Sequence, residues 1–410
     1  MNRTAQYRNW IGGIHKRVVS GALALVMLFV PAVLAIGAAR AQTYTESVLY
    51  SFAGTADGAH PYASLVRDPQ GELYGTTIQG GAFSYGTVFK LDKEGNETTL
   101  YTFPANGGEA ALPTGLTRDK RGNLYGTTYG GGAYSQGSVF KLDASGNQIV
   151  LYSFTGADDG AEPQAGLLLD AEGNLYGTTE HGGNLSSCYG SGCGTVFKLD
   201  TTGHETVLYT FTGTAGDGYW PMADLLVRDV QGNLYGTTSE GGAFNYGMVF
   251  KVDATGKETV LHSFTMIDGD GAYPQAALVR DARGNLYGTT IWGGAFGYGM
   301  VFKLDRTGRE TVLHSFGGTS GDGIQPDAGL LRDAHGNLYG TTGAGGAFSS
   351  GTVFTLDTKG NESVVYSFRG TGGDGQYPAA GLVRNARGDL YGTTVGGGAY
   401  GYGTIFKLTP

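Results

Sequence analysis

The chain has 410 residues, of which 75 are Gly, about 18% against roughly 7% in an ordinary protein. Charged residues make up 15% and aromatics 12%, with 26 Tyr and 19 Phe. Glycine at this density excludes a helical bundle, the aromatic content excludes a disordered chain, and the lack of a strict third-residue Gly period excludes collagen. An all-β protein rich in tight turns remains.

The N-terminus reads as an export leader. Arg3, Arg8, Lys16 and Arg17 precede Val18–Ala39, an uncharged stretch of 22 residues, and Ala39-Arg40-Ala41 offers the small residues of a cleavage site. The signal peptide is therefore predicted over residues 1–41. An uncleaved anchor is the rival, since 22 apolar residues can span a bilayer. Pro31 and the Ala-x-Ala site favour cleavage. No Cys ends the apolar run and no anchor is expected after Pro410, so a secreted or periplasmic protein without membrane contact is predicted. The mature chain keeps 22 Lys and Arg against 36 Asp and Glu, which argues against nucleic acid as a partner.

From Glu46 onward one unit repeats. The segment Asn123-Leu-Tyr-Gly-Thr-Thr128 recurs with its first position at 72, 123, 174, 233, 285, 337 and 389. Each copy reads as four short strands. In the fifth they are Ala276–Arg280, Asn285–Thr290, Met300–Asp305 and Glu310–Phe316. Tight turns occupy Asp281–Gly284 and Asp305–Gly308, and Ile291–Gly299 forms a longer loop. Four antiparallel strands in about 52 residues, seven times over, predict a seven-bladed β-propeller, with an elongated β-solenoid as the rival fold. The chain opens on an isolated fourth strand, Glu46–Phe52, and closes on a third, Thr404–Leu408. Pairing the two would complete the last blade and close the ring, so residues 42–410 are predicted to be one domain.

The motifs L-Y-G-T-T, G-G and G-T-V-F-K-L-D, seven times repeated, resemble the GloVer (Gloeo/Verruco) tandem repeat of secreted bacterial proteins with a choice of C-terminal anchors. The resemblance covers nearly all of the mature chain. It implies an exported, surface-related repeat protein and brings no catalytic residues. No terminal anchor follows the last repeat here, so surface attachment is not carried over.

The loops after the second and fourth strands should share one face. The first kind, G-G-A-f-x-Y-G, carries aromatics such as Phe83, Phe296, Tyr298 and Tyr400. The second, D-G-x-x-P, carries Asp57, Glu109, Asp159, Asp217, Asp270, Asp322 and Asp374. A sugar would stack on the first ring and bond to the second, whereas a structural reading has Asp capping turns and Phe plugging gaps between blades. Departures from the repeat single out one sector. The third copy has an insertion, His181–Cys193, containing Tyr189; Trp220 and Trp292 lie in neighbouring loops and are the only Trp of the mature chain. Trp220, Trp292, Asp217, Tyr298, His181 and Tyr189 are the predicted ligand-binding residues. Cys188 and Cys193, the only cysteines, are predicted to form a disulfide. The histidines show no metal spacing, and His262 and His314, which replace the Tyr of L-Y-S-F, read as packing residues. Arg-Asp pairs such as Arg280-Asp281 read as an ion-pair belt with turn capping. No metal, cofactor or catalytic constellation is expected. A monomeric module binding a glycan, a cell-surface polymer or another protein is the leading reading. A purely structural surface protein and a carbohydrate-active hydrolase or lyase are the alternatives.

Overall fold

The computed structural model describes residues 44–104, 111–214, 216–222 and 225–410. The predicted leader and Glu109 lie outside these. Seven four-stranded antiparallel sheets follow one another as the blades of a β-propeller. Blade 5, for example, consists of Val279–Arg280, Leu286–Thr290, Met300–Leu304 and Glu310–Ser315, from the axis outward. Its inner strand is shorter than the predicted Ala276–Arg280. Upstream of Val279 the chain leaves the ladder to meet the next blade, where a Cβ on Gly329 would stand 3.2 Å from that of Ala277. Among the described residues no helix is long and apolar enough to cross a membrane.

Ring closure follows the predicted route. Thr45–Ser51 pairs antiparallel with Thr404–Thr409, in register from Thr45↔Thr409 to Ser51↔Thr404. Both sheet edges that an open blade would expose are thereby used.

Packing between blades repeats one device. In the second strand, the Gly of L-Y-G-T-T leaves a space that a Phe of the third strand fills; a Cβ on Gly288 would lie 2.6 Å from the Phe302 ring. The same Phe meets, edge to face, the Phe that ends the outer strand of the preceding blade. These pairs, from Phe52–Phe89 to Phe368–Phe406, have centroids 5.0–5.3 Å apart. Seven apolar clusters result, one between each pair of neighbours. Every outer strand also carries a bulge, as between Val301 and Phe302 of its partner, where Leu313 is the extra residue.

On the turn face the Asp residues cap tight turns as expected. Asp281 accepts hydrogen bonds from the backbone of Arg283 and Asn285, from the Asn285 side chain and from the Tyr287 hydroxyl. The arginines differ from the expected ion-pair belt. Arg67, Arg118, Arg228, Arg280, Arg332 and Arg384 lie over a Tyr ring of the preceding blade at 5.4–6.0 Å, a cation–π belt with Arg118–Asp68 as its one ion pair among the described residues. Blade 3, with Leu169 at this position, lacks the arginine.

Two predictions follow from this packing. Gly288→Ala forces a methyl into the Phe302 ring and should lower stability by about 1–3 kcal/mol, and Phe302→Ala by about 3–5 kcal/mol, both read from urea unfolding. The second concerns pH. Burial, reinforced by a facing Asp, pushes the carboxyls of Glu46, Glu97, Glu205 and Glu258 up to about 7. The folded protein then holds protons that the unfolded chain has released. The stability these groups add is fully present below pH 4.5 and lost as the pH rises through 7. Melting temperature should fall from pH 5 to pH 8, and Glu205→Gln should raise it at pH 8 while leaving pH 4 unchanged. Blade 2 already carries Gln148 at this position.

Candidate binding face

The D-G-x-x-P loops and the G-G-A-f loops come together on one face, but their two predicted rings have different fates. Apart from Asp322, the described members of the Asp ring are occupied by the fold. The Asp217 carboxylate accepts hydrogen bonds from the Tyr209 hydroxyl at 3.1 Å, from Thr212 N and Oγ1 at 2.8 and 2.7 Å, and from Gly218 N at 2.7 Å. Asp57, Asp159 and Asp374 likewise latch the Tyr of the preceding outer strand at 2.9–3.0 Å. The aromatic ring, by contrast, faces solvent. Phe83, Tyr134, Phe244, Phe296, Phe348 and Tyr400 are 52–63% exposed, with Leu185 at the same position of blade 3. They do not plug gaps between blades. The paired glycines before them, Gly293 (φ +80°) and Gly294 (φ +73°) in blade 5, turn the chain back and leave Phe296 standing over Gly318.

A third ring was not anticipated. The residue before Pro in each D-G-x-x-P loop has positive φ, between 55° and 58° for His60, Leu112, Glu162, Trp220, Tyr273 and Tyr377 and 59° for Gln325. A residue before Pro is ordinarily pushed to extended backbone, and non-glycine residues avoid the left-handed region. Inter-blade hydrogen bonds hold the conformation. Trp220 N donates to Cys193 O and Trp220 O accepts from Ser239 N; Gln325 N donates to Tyr298 O and Gln325 O accepts from Gly343 N. Six residue types thus occupy one fixed backbone position in seven blades, at the approach to the innermost strand. The signal in sequence is the variability of this position, greater than that of the residue before it, inside a regular motif.

The singled-out sector forms two groups. In the first, the Trp220 ring lies 6.0 Å from the His181 ring and 5.1 Å from that of Tyr219, with Cys188 packed against the same cluster. His181 Nδ1 is 3.2 Å from Glu162 Oε2 and 3.7 Å from Glu180 Oε2, and the Tyr129 hydroxyl donates to Glu162 at 2.6 Å. Burial pushes the Glu180 carboxyl above the usual range, and the charge of His181 offsets part of this. In the second group, Trp292 pairs with Ala272, and Tyr298 bridges to Gly293. Both tryptophans are half-buried, Tyr298 is exposed, and Tyr189 is 97% exposed. The disulfide between Cys188 and Cys193 is present, with a Cα–Cα distance of 5.3 Å. Its sulfurs cover Gly213 at 2.9 and 3.2 Å from a Cβ position, where in blade 5 Phe296 stands over the corresponding Gly318.

Three groups have the composition of a metal site: Glu162–Glu180–His181, His262–Asp270–Glu310 and His314–Asp322–Glu362, each with ligand atoms within 4.8 Å of one another. Reading spacings along the chain missed them, because in each the ligands come from different blades or loops.

The Gloeobacter/Verrucomicrobia repeat matches the chain over residues 38–247 and 225–410. No curated protein matches it in sequence. Among solved structures, the extracellular domain of a putative hybrid two-component system from B. thetaiotaomicron is similar at TM-score 0.58 and 12% identity, over 90% of this chain and 41% of that one. A second such domain from the same organism gives TM-score 0.57 at 10% identity, over 89% and 39%. This chain thus spans about two-fifths of the two-component-system chains it matches. A gluconolactonase from Xanthomonas campestris matches at TM-score 0.44 and 13% identity over 89% of both chains, too distant to bear on activity.

The disulfide gives a direct check. Mass spectrometry of unreduced protein should find Cys188 and Cys193 in one linked peptide. Reduction should open the 181–193 loop to protease while the far-ultraviolet circular dichroism of the ring stays unchanged.

Proposed function

We propose, for a chain that belongs to the Gloeobacter/Verrucomicrobia repeat family, that it is an exported binding module whose ligand is a glycan or another cell-surface polymer. One observation carries the reading. On a single face, the seven blades present six kinds of side chain from one fixed, unfavourable backbone position, inside a ring of exposed aromatics. The inner ring supplies selectivity and the outer ring repeated stacking contacts. A sugar suits this combination, because its C–H face stacks on aromatic rings and its hydroxyls pair with Glu, Gln, His and Tyr. The leader motif and the disulfide support a secreted or periplasmic location. Trp220 belongs to the inner ring, and Tyr298 stands beside the outer one. Asp217, already bonded four times, acts here by holding its loop.

A second reading, a carbohydrate-active enzyme, is favoured by one group alone. Glu162 and Glu180 converge beside His181 and Trp220, and burial keeps the Glu180 carboxyl ready to hold a proton. Two carboxyls in differing environments are what glycoside hydrolysis uses.

A glycan array run beside a hydrolysis screen on the same polysaccharides separates the two. On the binding reading, Trp220→Ala and Tyr377→Ala each weaken binding by about 1–3 kcal/mol, the scale of a base stacked on an aromatic side chain. Phe83→Ala, one of several equivalent contacts, weakens it less. Wild-type affinity in both inner-ring variants would refute the assignment. Hydrolysis abolished by Glu180→Gln would establish the enzyme.

A further inference from the structure

Four of the blade interfaces share a latch in which a Tyr hydroxyl donates to an Asp at 2.9–3.1 Å, with Tyr50, Tyr152, Tyr209 and Tyr366 as donors. A Glu from the next outer strand stands behind the Asp, as Glu258 does at Asp217. The outer strands of blades 4 and 5 carry His262 and His314 in place of this Tyr. The two substitutions have different consequences.

Between blades 4 and 5 the Asp stays fully engaged. Gly271 N donates to Asp270 Oδ1 at 2.7 Å, and Thr265 N and Oγ1 both donate to Oδ2 at 2.8 Å. Between blades 5 and 6, Gly317 replaces that Thr and only its N–H donates to Asp322 Oδ2, at 2.8 Å. Asp322 Oδ1, His314 Nε2 and Glu362 Oε1 are all buried without a hydrogen-bond partner. The Asp322 side chain is only 4% exposed, and His314 Nε2 is 3.6 Å from Asp322 Oδ2, beyond hydrogen-bond reach. Unpaired Glu Oε1 atoms recur at Glu46, Glu205, Glu258 and Glu310, and His262 Nε2 is unpaired as well. What sets this interface apart is Asp322 Oδ1, the one buried unpaired oxygen among the described D-G-x-x-P aspartates, and a buried carboxylate oxygen left in this way calls for a partner. An open cleft of about 440 Å³ lies against this point, lined by Phe296, Val312, His314, Thr319 and Asp322 among others.

We propose that His314, Asp322 and Glu362 bind a divalent cation of the zinc class, with the remaining coordination position turned to the cleft. One imidazole and two carboxylates supply a nitrogen and two oxygens, and two negative charges to match the dication. This mixture suits Zn²⁺, whereas Ca²⁺ takes six to eight oxygens and Mg²⁺ near-octahedral oxygen and water. His314 Nε2 and Asp322 Oδ2 are 3.6 Å apart, a separation two ligands about 2 Å from a shared Zn²⁺ can have, and Glu362 offers an oxygen within 4.8 Å of both. The cleft provides the route by which the ion enters.

The test uses chelator-stripped full-length protein titrated with ZnCl₂, with bound metal counted by mass spectrometry and melting followed in parallel. His314→Tyr restores the residue that latches Asp at four other interfaces, so the fold is retained by precedent. Glu362→Gln places at blade 6 what blade 2 carries as Gln148. Expected is one equivalent of Zn²⁺ that raises the melting temperature, is lost in both variants, and survives in His262→Tyr and under excess CaCl₂ or MgCl₂. Retention of that equivalent in His314→Tyr or Glu362→Gln would overturn the site, as would its loss in His262→Tyr. Displacement by Ca²⁺ or Mg²⁺ would overturn the metal class.

Discussion

The whole ring depends on a phenylalanine lying where a glycine has no side chain. The Gly of L-Y-G-T-T lets the third-strand Phe lie flat across the second strand, and a Cβ in any of the seven would come within 2.5–2.7 Å of that ring. Because the Phe is pressed against its own sheet, its edge is left to meet the outer-strand Phe of the preceding blade. One residue therefore serves both packing within the blade and docking between blades. Neither sheet face can be satisfied by a blade alone, and only a closed circle gives every Phe its partner. The N-terminal strand matters for this reason as much as for its ladder: it delivers Phe52 to Phe89 of blade 1.

That logic explains what the sequence disclosed and what it hid. The seven copies, their strand order and the strand phase at the two ends are local or periodic facts, so the propeller, its closure and the short-loop disulfide were all legible. The exposure of Trp220 and Trp292 was not. Their rarity marks them, but the half-burial of Trp220 depends on Tyr219 beside it and on Cys188 and His181, which a distant part of the loops brings to it. The arginine belt was misread for a similar reason. Each Arg is adjacent in sequence to an Asp, yet its ring partner sits a full repeat upstream, as Tyr235 does for Arg280. Hidden deepest was the His314–Asp322–Glu362 group, whose members lie on an outer strand, a loop and the outer strand of the next blade. At each position taken alone the residue is either the repeat's own or a modest replacement.

The two faces divide the work. The turn face is built from Asp-centred turns that repeat almost unchanged around the ring, with both carboxylate oxygens of residues such as Asp281 and Asp333 taken by backbone and by Asn. Such turns need no ligand and offer little to one. On the loop face the same economy holds only for the latch, where Asp is again used internally. Variation is confined to positions whose backbone is held by hydrogen bonds from neighbouring loops. The chain can change side chains there without altering the blade, and apart from Leu169, which replaces an arginine of the turn face, the departures singled out in blades 3 to 6 fall on this side of the ring.

The residue before each loop proline makes the case for function most sharply. Left-handed backbone costs roughly 1–2 kcal/mol in a residue other than Gly, and the following Pro adds its own objection. Glycine would remove most of that cost, and this chain uses Gly freely, with 75 in 410 residues. Yet none of the seven positions is Gly, and none is Asn or Asp, the residues that tolerate this region best. Backbone strain alone would have favoured those replacements in every blade. Seven strained side chains, of six kinds, are kept instead. Part of what they contribute is internal, as where Trp220 packs against the cluster between blades 3 and 4 and where Tyr129 and His181 engage Glu162. These contacts differ from blade to blade, and that variety at one fixed backbone position is what the proposed binding face would use.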